Sequence, residues 1–313
     1  MANGKQILCV VDPAAEEQPA RDRAARLAKA CGASLELFVC DYDQHLAGGK
    51  LFDSKSLEKA RQSLLQEHVE RLEKRAQALI EQGLDVTVDA RWGRPLDREI
   101  VRKVVETRPL LVAKDTRYQP GLRRTLLSNA DWNLIRSCPV PLLLVKPGPL
   151  ADVPQIVAAV DPVHEHDKPA ELDQAILAFA TELTTALRGR LHVLHAYDAA
   201  PLIAAAAAGP AGAVAPIQEV SASLEHEHRA ALDALLRGFA IPASDVHFRQ
   251  GVADRVLVDA AAELCADFVV MGAVSRSGLK RVFVGSTAER VLDRLPCDLI
   301  VVKPPGFQAA PPD

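Results

Sequence analysis

Apolar residues recur along this chain in two ways. Some form short, nearly unbroken runs; others return every three or four positions across longer, charged stretches. The short runs predict strands buried on both faces, as in a parallel sheet, and the longer stretches predict amphipathic helices. In the first half the strands fall at 6–12, 34–40, 85–91, 110–113 and 141–146. Helical patterns lie between them at 18–31, 56–82, 96–107 and 130–137, with Gly32 and Gly83 as stop signals. The charged residues of 56–82 read mostly as i,i+4 pairs on a solvated face.

The second half repeats this programme. The runs ending in Asp12 and Asp161 are each followed by proline, and 191–196 matches 35–40. Gly93 and Gly251, Pro139 and Pro296, and Lys146 and Lys303 recur at a near-constant offset. A repeat this long describes two homologous domains, at 1–147 and 154–305, joined by a Pro-rich linker. Alternating strands and helices make each domain α/β: a five-stranded, mainly parallel sheet with helices on both faces. The closing strands 141–146 and 299–303 read as sheet edges. Pairing of the two would hide them and make the chain an intramolecular pseudo-dimer, and a homodimer of such chains is left open.

Ligands of open parallel sheets sit at the carboxyl ends of the strands, where the strand order reverses. There the second half places Asp161, then Gly272, and then a Gly/Ser/Arg loop running to Gly285, Ser286 and Thr287. Ser286 with Glu289 is a capping-box pattern, so a helix starts here with free N–H groups that suit an anion. An ordinary strand-loop-helix connection would give the same local pattern. The glycine-rich phosphate loops of other nucleotide folds are absent: there is no G-x-x-x-x-G-K-[ST], and no G-x-G-x-x-G follows either first strand.

A net charge of −4 and a pI near 6.2 argue against a nucleic-acid partner. The six cysteines form no C-x-x-C pair and mostly sit in apolar runs, which fits reduced thiols in a cytoplasmic protein. No secretory leader pattern precedes the first strand. The uncharged segment 199–217 is long enough to span a bilayer. It is mostly alanine, though, and broken by Pro201, Gly209, Pro210, Gly212 and Pro216, so it reads as an apolar surface loop. No nucleophile–base arrangement for catalysis is evident. His164 and His166, with Asp161 or Asp167 nearby, could hold zinc weakly, whereas His226 and His228 face different sides of a helix. His192 and His195 lie on opposite faces of one strand and read as packed, hydrogen-bonded residues. Glu67-His68 recurs as Glu225-His226, which marks a packing or interdomain position.

Taken together, these residues resemble the universal stress protein family in its tandem form, over about 5–147 and 154–304. The resemblance rests on Val160-Asp161, the Gly251 turn, residues 266–272, Gly285-Ser286-Thr287 and the closing strand 296–303. The pieces Trp92 to Pro95 and Asp131-Trp132 further resemble one bacterial tandem subgroup.

The resemblance implies a non-enzymatic stress-response protein, with slow ATP hydrolysis as a further option, and an ATP site in the second domain. Asp161 and the backbone near Ala196 would hold the adenosine; Gly272, Ser275, Gly285, Ser286 and Thr287 would surround the phosphates. Arg276, Lys280 and Arg281 could add charge there, although a solvated role suits each. Ser275 stands where the family's pattern has its second glycine. In the first half Lys114 stands at the place of Gly272, and its loop has one additional residue and none of the phosphate-binding glycines. That half is expected not to bind nucleotide, with Lys114 filling the phosphate's space. The alternative is an interaction or apolar-ligand module that has lost nucleotide binding, with 199–217 receiving the ligand.

Overall fold

A computed structural model describes residues 5–47, 54–119, 124–163, 171–201, 217–273, 291 and 294–308. The chain divides into a first unit over Met1–Leu150, to which Phe307 also belongs, and a second unit over Ala151–Gly306.

The first unit runs β1 (Gln6–Val10), α1 (Pro19–Cys31), β2 (Ser34–Asp41), α2 (Ser54–Glu81), β3 (Val86–Trp92), α3 (Leu96–Thr107) and β4 (Leu111–Asp115). A hairpin of β5 (Arg117–Gln119) and β6 (Arg124–Leu126) follows, then α4 (Asn129–Ser137) and β7 (Leu142–Val145). Its sheet is ordered β7-β4-β1-β2-β3, with every neighbour parallel. The hairpin is antiparallel and replaces part of the expected loop. Ile7, Leu8, Cys9 and Val10 are all buried, as a strand covered on both faces requires. Helix α1 starts at Pro19, whose missing N–H costs nothing there, and stops at Gly32 in the left-handed conformation.

The second unit runs β8 (Gln155–Ala159), α5 (Glu171–Leu187), β9 (Arg190–Tyr197), α6 (Ile217–Leu236), a short 3₁₀ turn (Ala243–Asp245), β10 (Val246–Gln250), α7 (Ala253–Glu263), β11 (Phe268–Gly272) and β12 (Asp298–Val302). Its order, β10-β9-β8-β11-β12, is also parallel throughout. Both units are therefore doubly wound α/β sheets, as the pattern of the chain implies. Each reverses its strand order beside its first strand, between β1 and β4 and between β8 and β11.

None of the six cysteines is joined in a disulfide. Cys9, Cys40 and Cys138 are buried in the first unit and Cys297 in the second, while Cys265 is exposed. Burial pushes the Cys9 thiol far above its usual range. It pushes Cys40 up to about 12, helped by Glu99 and Asp41 beside it. Among the described residues no helix is long and apolar enough to cross a membrane. Residues 202–216, most of the Ala-rich segment, lie outside the described residues.

Candidate functional site

In the second unit the reversal brings the carboxyl ends of β8, β9 and β11 together. Strand β8 ends at Ala159, and the chain turns off through Val160 and Asp161. The turn is fixed by a buried carboxylate: the Asp161 N–H donates to Asp173 Oδ1 at 3.0 Å, from the first turn of α5. An acid in a first turn also faces the helix's positive end.

The alternation of a parallel ladder assigns the next polar groups. On the β8 side the Leu194 carbonyl accepts from Val160 N–H at 3.0 Å; on the β10 side the Tyr197 carbonyl accepts from Gly251 N–H at 2.8 Å. The main-chain N–H and C=O of Ala196, two residues from Leu194, therefore point to the β8 side, beyond the place where β8 has ended. A donor and an acceptor side by side on an opened strand edge suit the hydrogen-bonding edge of a planar heterocycle.

The next residue, His195, secures the same turn from beneath. Its Nδ1–H donates to the Val160 carbonyl at 3.0 Å, so in the neutral ring Nε2 is the acceptor and His228 Nδ1–H donates to it at 2.8 Å. Both rings are buried, and desolvation holds His195 below the ordinary histidine range despite the Val160 bond and the nearby Asp161 charge. Around the pair, Tyr197 stacks on Phe248 with centroids 4.8 Å apart, and the Arg229 guanidinium lies 3.9 Å over the Phe248 ring. His192 and His195 are thus packed, hydrogen-bonded histidines. The recurring Glu-His pair misleads, however: His226 is exposed, and it is His228 that packs inward.

Gly272 ends β11 with little room over its Cα. A Cβ there would lie 2.5 Å from Leu172 Cδ2 of α5, so the close approach of that helix already demands glycine. Ser275, Gly285, Ser286 and Thr287 lie outside the described residues, as do Arg276, Lys280, Arg281, His164 and His166.

The first unit treats the same places differently, and its register corrects one expectation. Ile7 pairs with Leu111 where Ile156 pairs with Phe268, and Val112 pairs with Leu142 where Val269 pairs with Leu299. The counterpart of Gly272 is therefore Asp115, and Lys114 matches Met271. Counted from Asp115, the additional loop residue disappears. Asp115 Oδ1 accepts the Ala20 N–H at 2.8 Å, capping the start of α1. Lys114 Nζ reaches Asp131 Oδ1 at 2.8 Å and donates to the Asp115 carbonyl at 3.0 Å. Asp131, fully buried, closes a capping box with Ser128 at the start of α4. An internal carboxylate and its ammonium partner thus already stand where an anion would meet that helix.

Two other features were not foreseen from residue patterns. One is the coupled pair His195–His228. The other is an open, polar cavity of about 510 Å³ at the end of β2, lined by Asp41, Tyr42, Asp43, Gln44, His45, Leu64 and Arg94. The Trp92 to Pro95 piece borders it: Trp92 packs on Tyr42, and Arg94 covers the other ring at 4.5 Å. Beside it the buried His68 of α2 bonds Asp41 Oδ2 at 2.8 Å.

Two parallel α/β units, each reversing its strand order beside its first strand, define a tandem protein of doubly wound sheets. The universal stress protein family profile matches residues 4–146 and again 155–303, so the chain belongs to the universal stress protein family. Along its whole length it is similar to universal stress protein E. Identity is 27% with that of Photorhabdus laumondii, covering 98% of both chains, and 28% with that of Escherichia coli K12, covering 98% of this chain and 96% of the relative. A solved protein of unknown function from Pseudomonas aeruginosa PAO1 shares the fold at a TM-score of 0.74 and 26% identity, covering 96% of this chain and 93% of its own. A universal stress protein of Archaeoglobus fulgidus matches at 0.63 and 16% identity, over 95% and 98%.

Proposed function

We propose that this chain is a non-enzymatic, cytoplasmic stress-response protein whose second unit takes ATP or a related phosphorylated ligand above β8, β9 and β11. The observation that carries the reading is the Ala196 main-chain edge, facing the gap where β8 has turned away through Asp161. Asp161 stands beside it for a ribose. The phosphates would extend past Gly272 toward Ser275, Gly285, Ser286 and Thr287. In the first unit Asp115, Lys114 and Asp131 take up the corresponding places, which supports a single nucleotide site per chain.

Two observations favour the second reading, an interaction or apolar-ligand module without nucleotide. Leu172 explains Gly272 without any phosphate, and Ser275 departs from the glycine pattern.

Titration of the purified chain with ATP and Mg²⁺ separates the two. The proposal expects one nucleotide per chain, lost in Asp161→Ala and Gly285→Asp and kept in Lys114→Ala. No binding below millimolar ATP, or binding indifferent to Asp161 and Gly285, would sink it. An acyl species co-purifying with the intact chain but not after deletion of residues 204–212 would establish the alternative.

A further inference from the structure

At the opposite, amino-terminal end of the second unit's sheet, three neighbouring strands each contribute a polar side chain to one spot. Gln155 opens β8, His192 lies near the start of β9, and His247 near the start of β10, the last strand of the unit's order. His192 Nδ1 stands 3.2 Å from His247 Nε2, and His192 Nε2 stands 3.1 Å from Gln155 Oε1. The rings are tilted by 43°. Strand packing alone would be served by apolar side chains here, and two imidazoles aimed at each other are a more specific arrangement.

We propose that His192 and His247 form a bidentate imidazole site for a borderline divalent transition-metal ion, with Gln155 holding His192 in the tautomer that ligates. Gln155 Oε1 can only accept, so the His192 proton resides on Nε2 and Nδ1 accepts from His247 Nε2–H; a metal ion takes the place of that proton, which moves to His247 Nδ1. Two metal–nitrogen bonds of about 2.0–2.1 Å across a 3.2 Å gap subtend roughly 100–105°, near the tetrahedral angle. Imidazole selects zinc, copper and nickel over calcium and magnesium.

The surroundings keep both ligands neutral. Desolvation comes first in holding each imidazole below its ordinary range, and then His247 acts on His192 and Arg249 on His247. The charges facing them cancel in pairs: Arg190 with Asp245 at 2.5 Å, and Arg249 with Glu263 at 2.7 Å. No group of three or more donor side chains is found among the described residues, so water completes the shell and the site exchanges its metal readily.

The test uses the full chain and Cu²⁺ alone, followed by electron paramagnetic resonance at pH 7.5. Wild-type protein is expected to take up one equivalent with coupling to two imidazole nitrogens. His247→Phe should lose that signal. Gln155→Leu should weaken binding about tenfold or more while the two-nitrogen signal is retained at saturation. A purely structural His–His contact predicts no such signal. Coupling to one nitrogen or none in the wild type, or an unchanged spectrum in folded His247→Phe, overturns the proposal. Where His247→Phe does not fold, coupling to one nitrogen or none in the wild type still overturns the proposal.

Discussion

In the first unit the contact between the fourth strand of the fold and its first helix is filled from the strand. Asp115 reaches the start of α1, and small, buried Ala20 leaves it room. In the second unit the same contact is filled from the helix: Leu172 of α5 lies over Gly272. One repeat has thus exchanged the large and small partners across a single contact and turned a polar cap into an apolar plug. The exchange has consequences nearby. With Asp115 committed to α1, Lys114 is drawn to Asp131, and the α4 start carries its own anion. In the second unit the acid sits on the helix instead, as Asp173, and grips the turn at Asp161. One unit is closed by internal charges; the other keeps its strand edge open.

The comparison can be broken most sharply at Asp131. Asp131→Ala strands the Lys114 ammonium and removes the side-chain half of the α4 capping box, so the first unit should lose about 3–5 kcal/mol in urea unfolding. The double variant Lys114→Met, Asp131→Asn should cost clearly less than the sum of the single changes. Additive losses would show that the pair does not act as one.

A smaller effect is expected at Gly272. Gly272→Ala should cost about 1–3 kcal/mol through overpacking, and that cost should shrink once Leu172→Ala has made room. If the cost stays the same in both backgrounds, the plug is not what demands glycine.

The smallest effect is a slope with pH. His192, His195 and His247 of the second unit all have folded-state pKa values below the ordinary 6.5. Below 6.5 the unfolded chain binds more protons than the folded one, so stability falls as the pH drops from neutral toward those lowered values. Urea midpoints compared at pH 7.5 and 5.5 should show the second unit weakening, with a shallower slope in His195→Gln. An unchanged slope in that variant would remove His195 from the account.

The strand–helix programme and the repeat were legible because short apolar runs alternate with long amphipathic stretches in the same order twice. The reversal point followed from topology, and with it the neighbourhood of Asp161, Ala196 and Gly272. Register was not legible. The apolar runs before Lys114 and before Gly272 are equally long, but the first starts and ends one position earlier in the ladder, so its end misled by one position, and only the hydrogen-bonded register matches Asp115 with Gly272. Helix phase was hidden for a similar reason. A Glu-His pair repeats at 67–68 and 225–226, yet packing against β9 turns His228 inward and leaves His226 in solvent. The polarity of the Ala196 edge is likewise a property of where β8 stops, which no composition records.

The placement of the thiols gives the two units separate clocks. A protonated, buried thiol does not react with alkylating reagents, and only opening of its surroundings lets it do so. Cys9, Cys40 and Cys138 are sheltered in one unit and Cys297 in the other, while Cys265 stands exposed. Mass-resolved labelling of the native protein would therefore time the opening of each unit separately, with Cys265 as the immediate reference.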